Sequence, residues 1–510
     1  MNGAHGCLAT VHGVALVGLE PRPVRVEASM SPGLPGLRLV GLPDAAVREA
    51  GERVRTALQR RGFAWPSERL VINLAPADLP KAGSTFDLPL AIAILVATRQ
   101  LRLADGDQPW ACGELGLDGT VRATVGQLPT TVGARDLGAP RLLVPDAAAP
   151  EAALVPDIEV VPVADLTEVA AVLSGERPPR AAVPAEVVDS AVGAELADVR
   201  GQAIARRAAE IAAAGGHHLL LSGPPGCGKT MLAHRLHALL PPLTFDGAQE
   251  VAALHSLAGE RAPDDPLWRR PPLREPHHSV SMAGLVGGGA GVPRPGELAL
   301  AHRGLLLMDE LLETPRPVLD ALRQPLERGE VVLNRAHARV RYPCRIQLVA
   351  ATNPCPCGHL GSGGARTCTC RPDRIDRYRA RLSGPLLDRL DLQLELRPVD
   401  RDALAGPPDG EPTAVVARRV AVVRELATDR WGAGTRNADV DAADVRRTCG
   451  PNVLSALADA LETLGASARA FDRVLRVART VADLDGADRI GRPHVDEALA
   501  YRLPDASVAA

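Results

Sequence analysis

Apolar and polar residues alternate along this chain with three successive rhythms. Over residues 1–175, short apolar runs such as 70–74 and 141–144 predict strands, while 45–60 and 87–99 carry the spacing of helices. This mixture predicts an α+β amino-terminal domain. The Pro-rich stretch 175–184 predicts a break, and the linker is assigned to residues 176–197. A second rhythm runs over 198–400. Residues 199–214 predict an amphipathic helix, 218–222 a short apolar strand entering a Gly-rich loop, and 230–240 the helix after it. Residues 304–308 and 346–351 predict two more fully buried strands, so this region is expected to be an α/β domain with a parallel sheet. Residues 406–412 predict another junction. From 413 to 510 only helical spacing remains, in 413–427, 453–464, 468–484 and 494–501. No short-period repeat is present.

Composition sharpens this picture. A chain of 510 residues suits two to four domains, and 46% hydrophobic content supports real cores, although 2% aromatics makes those cores aliphatic. Net charge is -3, so any nucleic-acid contact must come from a local patch. No secretory leader pattern and no 18-residue apolar run is visible, and the nine cysteines do not form a disulfide framework. A cytoplasmic protein with no membrane contact is the expectation. The chain has only two lysines, Lys81 and Lys229, against 56 arginines. A surviving lysine marks a place where a compact ammonium is needed.

Lys229 lies in such a place. Gly223, Pro224, Pro225, Gly226, Cys227, Gly228, Lys229 and Thr230 fit G-x-x-x-x-G-K-[ST] between an apolar strand and a helix. The glycines let backbone N–H groups curl around phosphates, and the helix N-terminus adds positive potential. Lys229 is expected on the β- and γ-phosphates of ATP, and the Thr230 hydroxyl on Mg²⁺. The apolar run 305–308 ends in Asp309 and Glu310. Asp309 is expected to hold Mg²⁺ through water, and Glu310 to act as general base on the attacking water. Asn353, closing the run 346–352, is placed to orient the same water; alone, an Asn at a strand end is more often a turn residue.

Two further clusters stand out. Cys355, Cys357, Cys368 and Cys370 form two C-x-C pairs around a Gly-rich loop. Four thiolates suit tetrahedral Zn²⁺, although the usual spacing is C-x₂₋₄-C, and four reduced structural thiols are the alternative. Arginines at 371, 374, 377, 379 and 381 follow; a solvated helix face and a contact with nucleic acid or a neighbouring subunit explain them equally well. Residues 331–342 read as a hairpin carrying Arg335, Arg339 and Arg341. The hairpin resembles those that AAA+ ATPases point into a central channel, which implies that these arginines, repeated around a ring, would offer positive charge to DNA phosphates. The Gly-rich insert 277–291 is a second such candidate.

Taken together these motifs resemble the AAA+ ATPases. Residues 277–289, 293–302 and 382–391 resemble one branch, the magnesium-chelatase-like ComM (or YifB) family. Residues 31–36, 40–48, 467–470 and 476–484 resemble the same family, so the likeness covers nearly the whole chain. It implies a P-loop AAA+ core at 198–400, an all-α lid at 413–510, and a homo-oligomeric ring, expected to be hexameric. It further implies a DNA helicase promoting branch migration when incoming DNA recombines, as in natural transformation. By resemblance Asn353 is the sensor on the fourth core strand, Arg389 the arginine finger facing a neighbour, and Arg469 the second sensor arginine; Arg381 competes for the finger. Leu312 stands where the family usually has Pro, outside the ligand shell.

Residues 75–90 resemble the segment around the nucleophile of Lon-type proteases, which share the ribosomal S5 domain 2-like fold, and residues 113–122 resemble the hairpin that follows it. That likeness puts Thr85 at the serine position and Thr131 at the lysine position. With no base, the domain 1–175 is expected to be proteolytically inactive. The competing function is a magnesium-chelatase-type motor subunit acting on a protein partner.

Overall fold

The computed structural model describes residues 8–42, 44–79, 81, 83–103, 108–189, 193–289, 292–335, 339–362, 366–463 and 468–502. Its amino-terminal part is built on a four-stranded sheet. Ala9–Val17 pairs antiparallel with Glu20–Ser31, which pairs antiparallel with Arg69–Ala75, and Gly36–Val40 completes the edge in parallel. Alternation sets the inner face: Val24, Val26 and Ala28 on one strand, and Leu70, Ile72 and Leu74 on the next, are all buried. Against them packs Asp87–Ala97, a helix apolar almost all round and buried almost throughout. Its first residue, Asp87, is held by the Arg53 guanidinium at 2.9 and 3.0 Å, which makes a charged group tolerable in that core.

The second part is a five-stranded sheet in which every neighbouring pair is parallel. Its order is Leu273–Arg274, Leu305–Met308, Gln347–Thr352, Leu219–Ser222, Leu392–Glu395. Counted in chain order this is 2-3-4-1-5. The three central strands are buried on both faces, as their unbroken apolar runs require. Helices Ala203–Gly215 and Lys229–Leu239 cover one face.

The carboxy-terminal region is helical. The helix Ala468–Leu484 drives Val474, Leu475, Val477, Ala478, Val481 and Ala482 into the same core as Ala203–Gly215. At roughly 1.5–3 kcal/mol for each fully buried large aliphatic side chain, this stripe alone anchors the helix. Arg479 on this helix is fully buried and survives by donating to Ala487 O and Asp488 O and pairing with Asp483 at 2.8 Å.

The first part docks on the second through helix Phe245–Ala258. Glu151 is buried there beside Arg261, at 3.4 Å. Burial pushes the Glu151 carboxyl up to about 7, against the pull of Ser256 and Arg261. Among the described residues, no helix is long and apolar enough to cross a membrane.

Candidate nucleotide site and its trans elements

In a parallel sheet all strands point one way, so loops from neighbouring strands converge at the C-terminal edge. Register makes the convergence explicit. Ser222 sits beside Thr352, and Met308 beside Ala350. The chain therefore leaves the sheet side by side at Gly223, Asp309 and Asn353. Between Ser222 and the helix Lys229–Leu239, Gly226 and Gly228 adopt φ of 81° and 89°, which favours glycine over any residue with a Cβ. The turn they make brings the loop back on itself, with Lys229 at the helix start.

Lys229 is buried, and its ammonium donates to Gly223 O (2.7 Å), Pro224 O (3.0 Å) and Asn353 Oδ1 (3.1 Å). All three of its protons are engaged, so an incoming anion exchanges for carbonyls already in place. Burial lowers the ammonium's pKa, while the negative charges of Asp309 and Glu310 oppose the shift. One residue on, the Thr230 hydroxyl donates to Asp309 Oδ2 at 2.7 Å. A hydroxyl and a carboxylate meeting at one point beside a phosphate-sized loop are an oxygen donor set that fits Mg²⁺. Asp309 also accepts the backbone N–H of Glu310 at 2.8 Å, while Glu310 itself sits at φ 48°, an uncommon conformation for its residue type. The Glu310 carboxylate is half-exposed.

Glu310 is not free. His278 Nδ1 lies 3.1 Å from its Oε2, and the His277 and His278 rings pack at 4.0 Å. His278 belongs to the insert after the strand Leu273–Arg274, whose helix Met282–Val286 and strand Gly287–Gly288 follow; 290–291 lie outside the described residues. The hairpin Glu330–Asn334 with Arg339–Pro343 lies against this insert. Leu333 packs on Gly287, and Arg335 reaches past Gly288. Arg335, Arg339 and Arg341 are exposed, whereas Val340 and Tyr342 turn inward. The two candidate channel elements thus form one unit, and His278 joins it to Glu310.

Arg389 and Arg469 lie elsewhere. Asp391 directly precedes the strand Leu392–Glu395, so Arg389 stands at the N-terminal edge of the sheet, opposite the phosphate loop. Its guanidinium pairs with Glu327 and donates to Pro385 O at 2.7 Å. Arg469 shares a cleft of about 560 Å³ with Glu327, His218, Ile346 and Asp391, all at this same edge. Arg473, on the same helix as Arg469, fixes the arrangement by donating to Arg389 O (3.0 Å) and Asp391 Oδ1 (2.6 Å). Burial works against the Asp391 carboxylate, but His217 and Arg473 outweigh it and hold it well below the usual range. Arg381 is different: it donates to Leu312 O at 2.7 Å, beside its own chain's Glu310 turn. Asp391, Arg473 and His278 escape sequence reasoning because each works through a contact distant in the chain.

The four cysteines converge. Cys355, Cys357, Cys368 and Cys370 bring their sulfurs within 4.8 Å of one another, and N–H groups of His359 and Thr369 pull the Cys357 thiol down. In the amino-terminal domain, Thr131 is buried with its hydroxyl on Gln127 O, and Thr85 Oγ1 has no hydrogen-bond partner among the described residues. Lys81 is buried on Pro76 O.

Comparison with known proteins agrees with the branch that the motifs indicate. Residues 195–404 match the family described as magnesium chelatase, subunit ChlI; residues 26–148 match subunit ChlI of Mg-chelatase, and 410–502 the ChlI C-terminal family. Competence protein ComM of Haemophilus influenzae is 44% identical over 505 residues, covering 97% of each chain. The protein YifB of Escherichia coli is 43% identical over 502 residues, covering 98% of this chain and 97% of its own. The chain belongs to the ComM/YifB family. A more distant relative, the magnesium-chelatase 38 kDa subunit of Rhodobacter capsulatus, is 28% identical over 309 residues, which is 56% of this chain and 80% of that one. This ComM/YifB chain thus has the parallel-sheet core and helical C-terminal region of a magnesium-chelatase-like AAA+ ATPase, a family that uses ATP and Mg²⁺.

Proposed function

We propose that the chain is the subunit of a ring-forming ATP-driven motor that acts on DNA, promoting branch migration as incoming DNA recombines. The observation that carries the motor reading is the split site. Lys229, Thr230, Asp309, Glu310 and Asn353 occupy one edge of the sheet, and Arg389 and Arg469 the other. Four strand residues at about 3.3 Å each put roughly 13 Å of buried sheet between them. Neither arginine serves its own chain's nucleotide, but a neighbour stacked head to tail receives both.

The chemistry follows. The P-loop amides and Lys229 hold the β- and γ-phosphates, and Asn353 orients a water in line with the γ-phosphorus. Thr230 and Asp309 would hold the Mg²⁺ that accompanies ATP, whose charge would help neutralise the phosphates. Glu310, once clear of His278, takes the water's proton as the water oxygen bonds to the γ-phosphorus and the bond from that phosphorus to the β–γ bridging oxygen breaks, with ADP leaving. Charge growing on the transferring group is met by Lys229 and by Arg389 and Arg469 of the next subunit.

DNA as the substrate is supported by the name of the Haemophilus relative and by the exposed arginines of the hairpin. A chelatase-type motor acting on a protein partner is the second reading, supported by the match to the Rhodobacter subunit. Branch-migration and strand-displacement assays on wild type, Lys229→Ala and Glu310→Gln decide between them. The DNA reading expects activity in wild type alone, with ATP bound but not turned over by Glu310→Gln. Absence of any DNA effect on wild-type turnover, with a chelatase partner co-purifying, would overturn it.

A further inference from the structure

The cysteine cluster touches the nucleotide site. Gly358, between the two cysteine pairs, has φ 80° and lies so close to Pro225 that a Cβ there would meet the proline ring at 2.8 Å. Cys355 is only two residues beyond Asn353, the acceptor of Lys229. Pro354, between them, is held in turn by Arg379, which donates to its carbonyl at 3.2 Å. The segment that carries the sensor therefore leans directly on the phosphate loop.

We propose that Cys355, Cys357, Cys368 and Cys370 hold one zinc ion, and that this knot fixes Asn353 and the phosphate loop relative to each other. The sulfur geometry argues for a single tetrahedral ion. Cys355 to Cys357 is 3.4 Å, and Cys368 lies 3.6 Å from each. An ideal tetrathiolate with Zn–S near 2.3 Å has edges of about 3.8 Å. Distances this short leave no room for an iron–sulfur cluster, and they are far longer than a disulfide bond of about 2.05 Å. Soft thiolate ligands in a four-coordinate set select Zn²⁺ among common divalent ions. The surroundings suit the net negative charge of such a centre. Leu360 N–H points at Cys355 Sγ (3.4 Å), and Arg366 and Arg371 flank Cys368 and Cys370 in sequence.

Zinc replaces the hydrophobic core that a short Gly-rich loop cannot build. It ties the segment 355–357 to 368–370, so the turn carrying Gly358 is braced from behind. The brace determines whether Asn353 Oδ1 stays at Lys229 and whether Pro225 holds the loop closed around phosphate. The second half of the proposal rests on the nucleotide reading given above; the first half does not.

The test uses the full-length, tag-free chain purified under reducing conditions from zinc-supplemented medium. Elemental analysis is expected to give about one zinc per chain, released in step with mercurial titration of the thiols. The Cys355→Ser/Cys357→Ser variant is expected to fall below about a tenth of that content. Wild type with all four thiols reduced and less than a tenth of an equivalent of zinc would overturn the site. For the coupling, Gly358→Ala keeps all four ligands but wedges a methyl against Pro225. It is expected to retain zinc while losing at least about tenfold in ATP affinity, with circular dichroism unchanged. Wild-type affinity in that variant and in chelator-stripped protein that remains folded would overturn the coupling while leaving the metal count intact. Failure of wild type to bind ATP at all would instead overturn the motor reading.

Discussion

A subunit-mixing experiment isolates the split site. In the proposed ring, Lys229→Ala would remove the ammonium expected on the phosphates but leave Arg389 in place. Arg389→Ala does the reverse. Because the arginine and the loop sit on opposite edges of the same sheet, each variant alone has no complete site. Arg389→Ala should lower turnover by roughly 10³-fold or more, the range seen where a guanidinium stabilises phosphoryl transfer. Its fold should survive, since Glu327, the partner of the largely buried Arg389 side chain, is exposed and stays solvated once the guanidinium is gone. When equal amounts of the two variants are co-assembled, a junction is complete if an Arg389→Ala chain supplies the loop and a Lys229→Ala chain the arginine. Random assembly into a closed ring makes that about one junction in four, whatever the ring size. Steady-state ATP hydrolysis should therefore recover to about a quarter of wild type if junctions fire independently, from two preparations that are separately silent. Wild-type turnover in Arg389→Ala would refute the reasoning at once. So would silence in mixed rings shown by differential tags to contain both variants, when wild type mixed with Lys229→Ala stays active.

Three shorter predictions follow from other contacts. His278→Ala frees Glu310 from its partner at 3.1 Å, so basal ATP turnover should rise several-fold and its stimulation by DNA shrink; a fall in basal turnover would remove His278 from any restraining role. Replacing Arg335, Arg339 and Arg341 together with Ala should leave DNA-free ATP turnover unchanged and flatten the dependence of DNA binding on salt, with each lost phosphate contact per subunit reducing the slope by about 1. Glu151 binds its proton more tightly in the folded chain, with a pKa of about 7 against an ordinary 4.5. Its contribution is complete below the ordinary value and is lost as pH rises through 7. Thermal melts should therefore weaken from acid towards pH 8, by on the order of 3 kcal/mol, and Glu151→Gln should flatten that trend.

The sequence speaks clearly where the signal is local. The apolar strand ending at Ser222, its glycines and the helix after Lys229 are read directly, because turn, strand and helix each leave their mark within a few residues. The observed helix starts at Lys229 and the strand at Leu219, each one residue from expectation. Other elements are obscured for definable reasons. Glu20–Ser31 carries Pro21 and Pro23, which disguise a strand whose burial depends only on alternate residues further along. Leu273–Arg274 is a two-residue edge strand behind Pro271 and Pro272, too short to show a period. The helix expected from residue 199 begins at Ala203, because Gly201 at φ 63° breaks the backbone first. In the site, the identities of Lys229, Thr230, Asp309, Glu310 and Asn353 are visible in the chain, but the contact from His278 to Glu310 and the brace by Arg473 are not. Each joins residues more than thirty positions apart, and no spacing rule encodes such a contact.

The bond from Arg473 to Asp391 and to the Arg389 carbonyl has a mechanical consequence. It bolts the last long helix to the foot of the sheet, at the very turn that carries Arg389. Helix and guanidinium therefore travel as one rigid lever. In the proposed ring, displacement generated as a nucleotide gap shuts would be handed across the seam to the next copy, as one cog turns another.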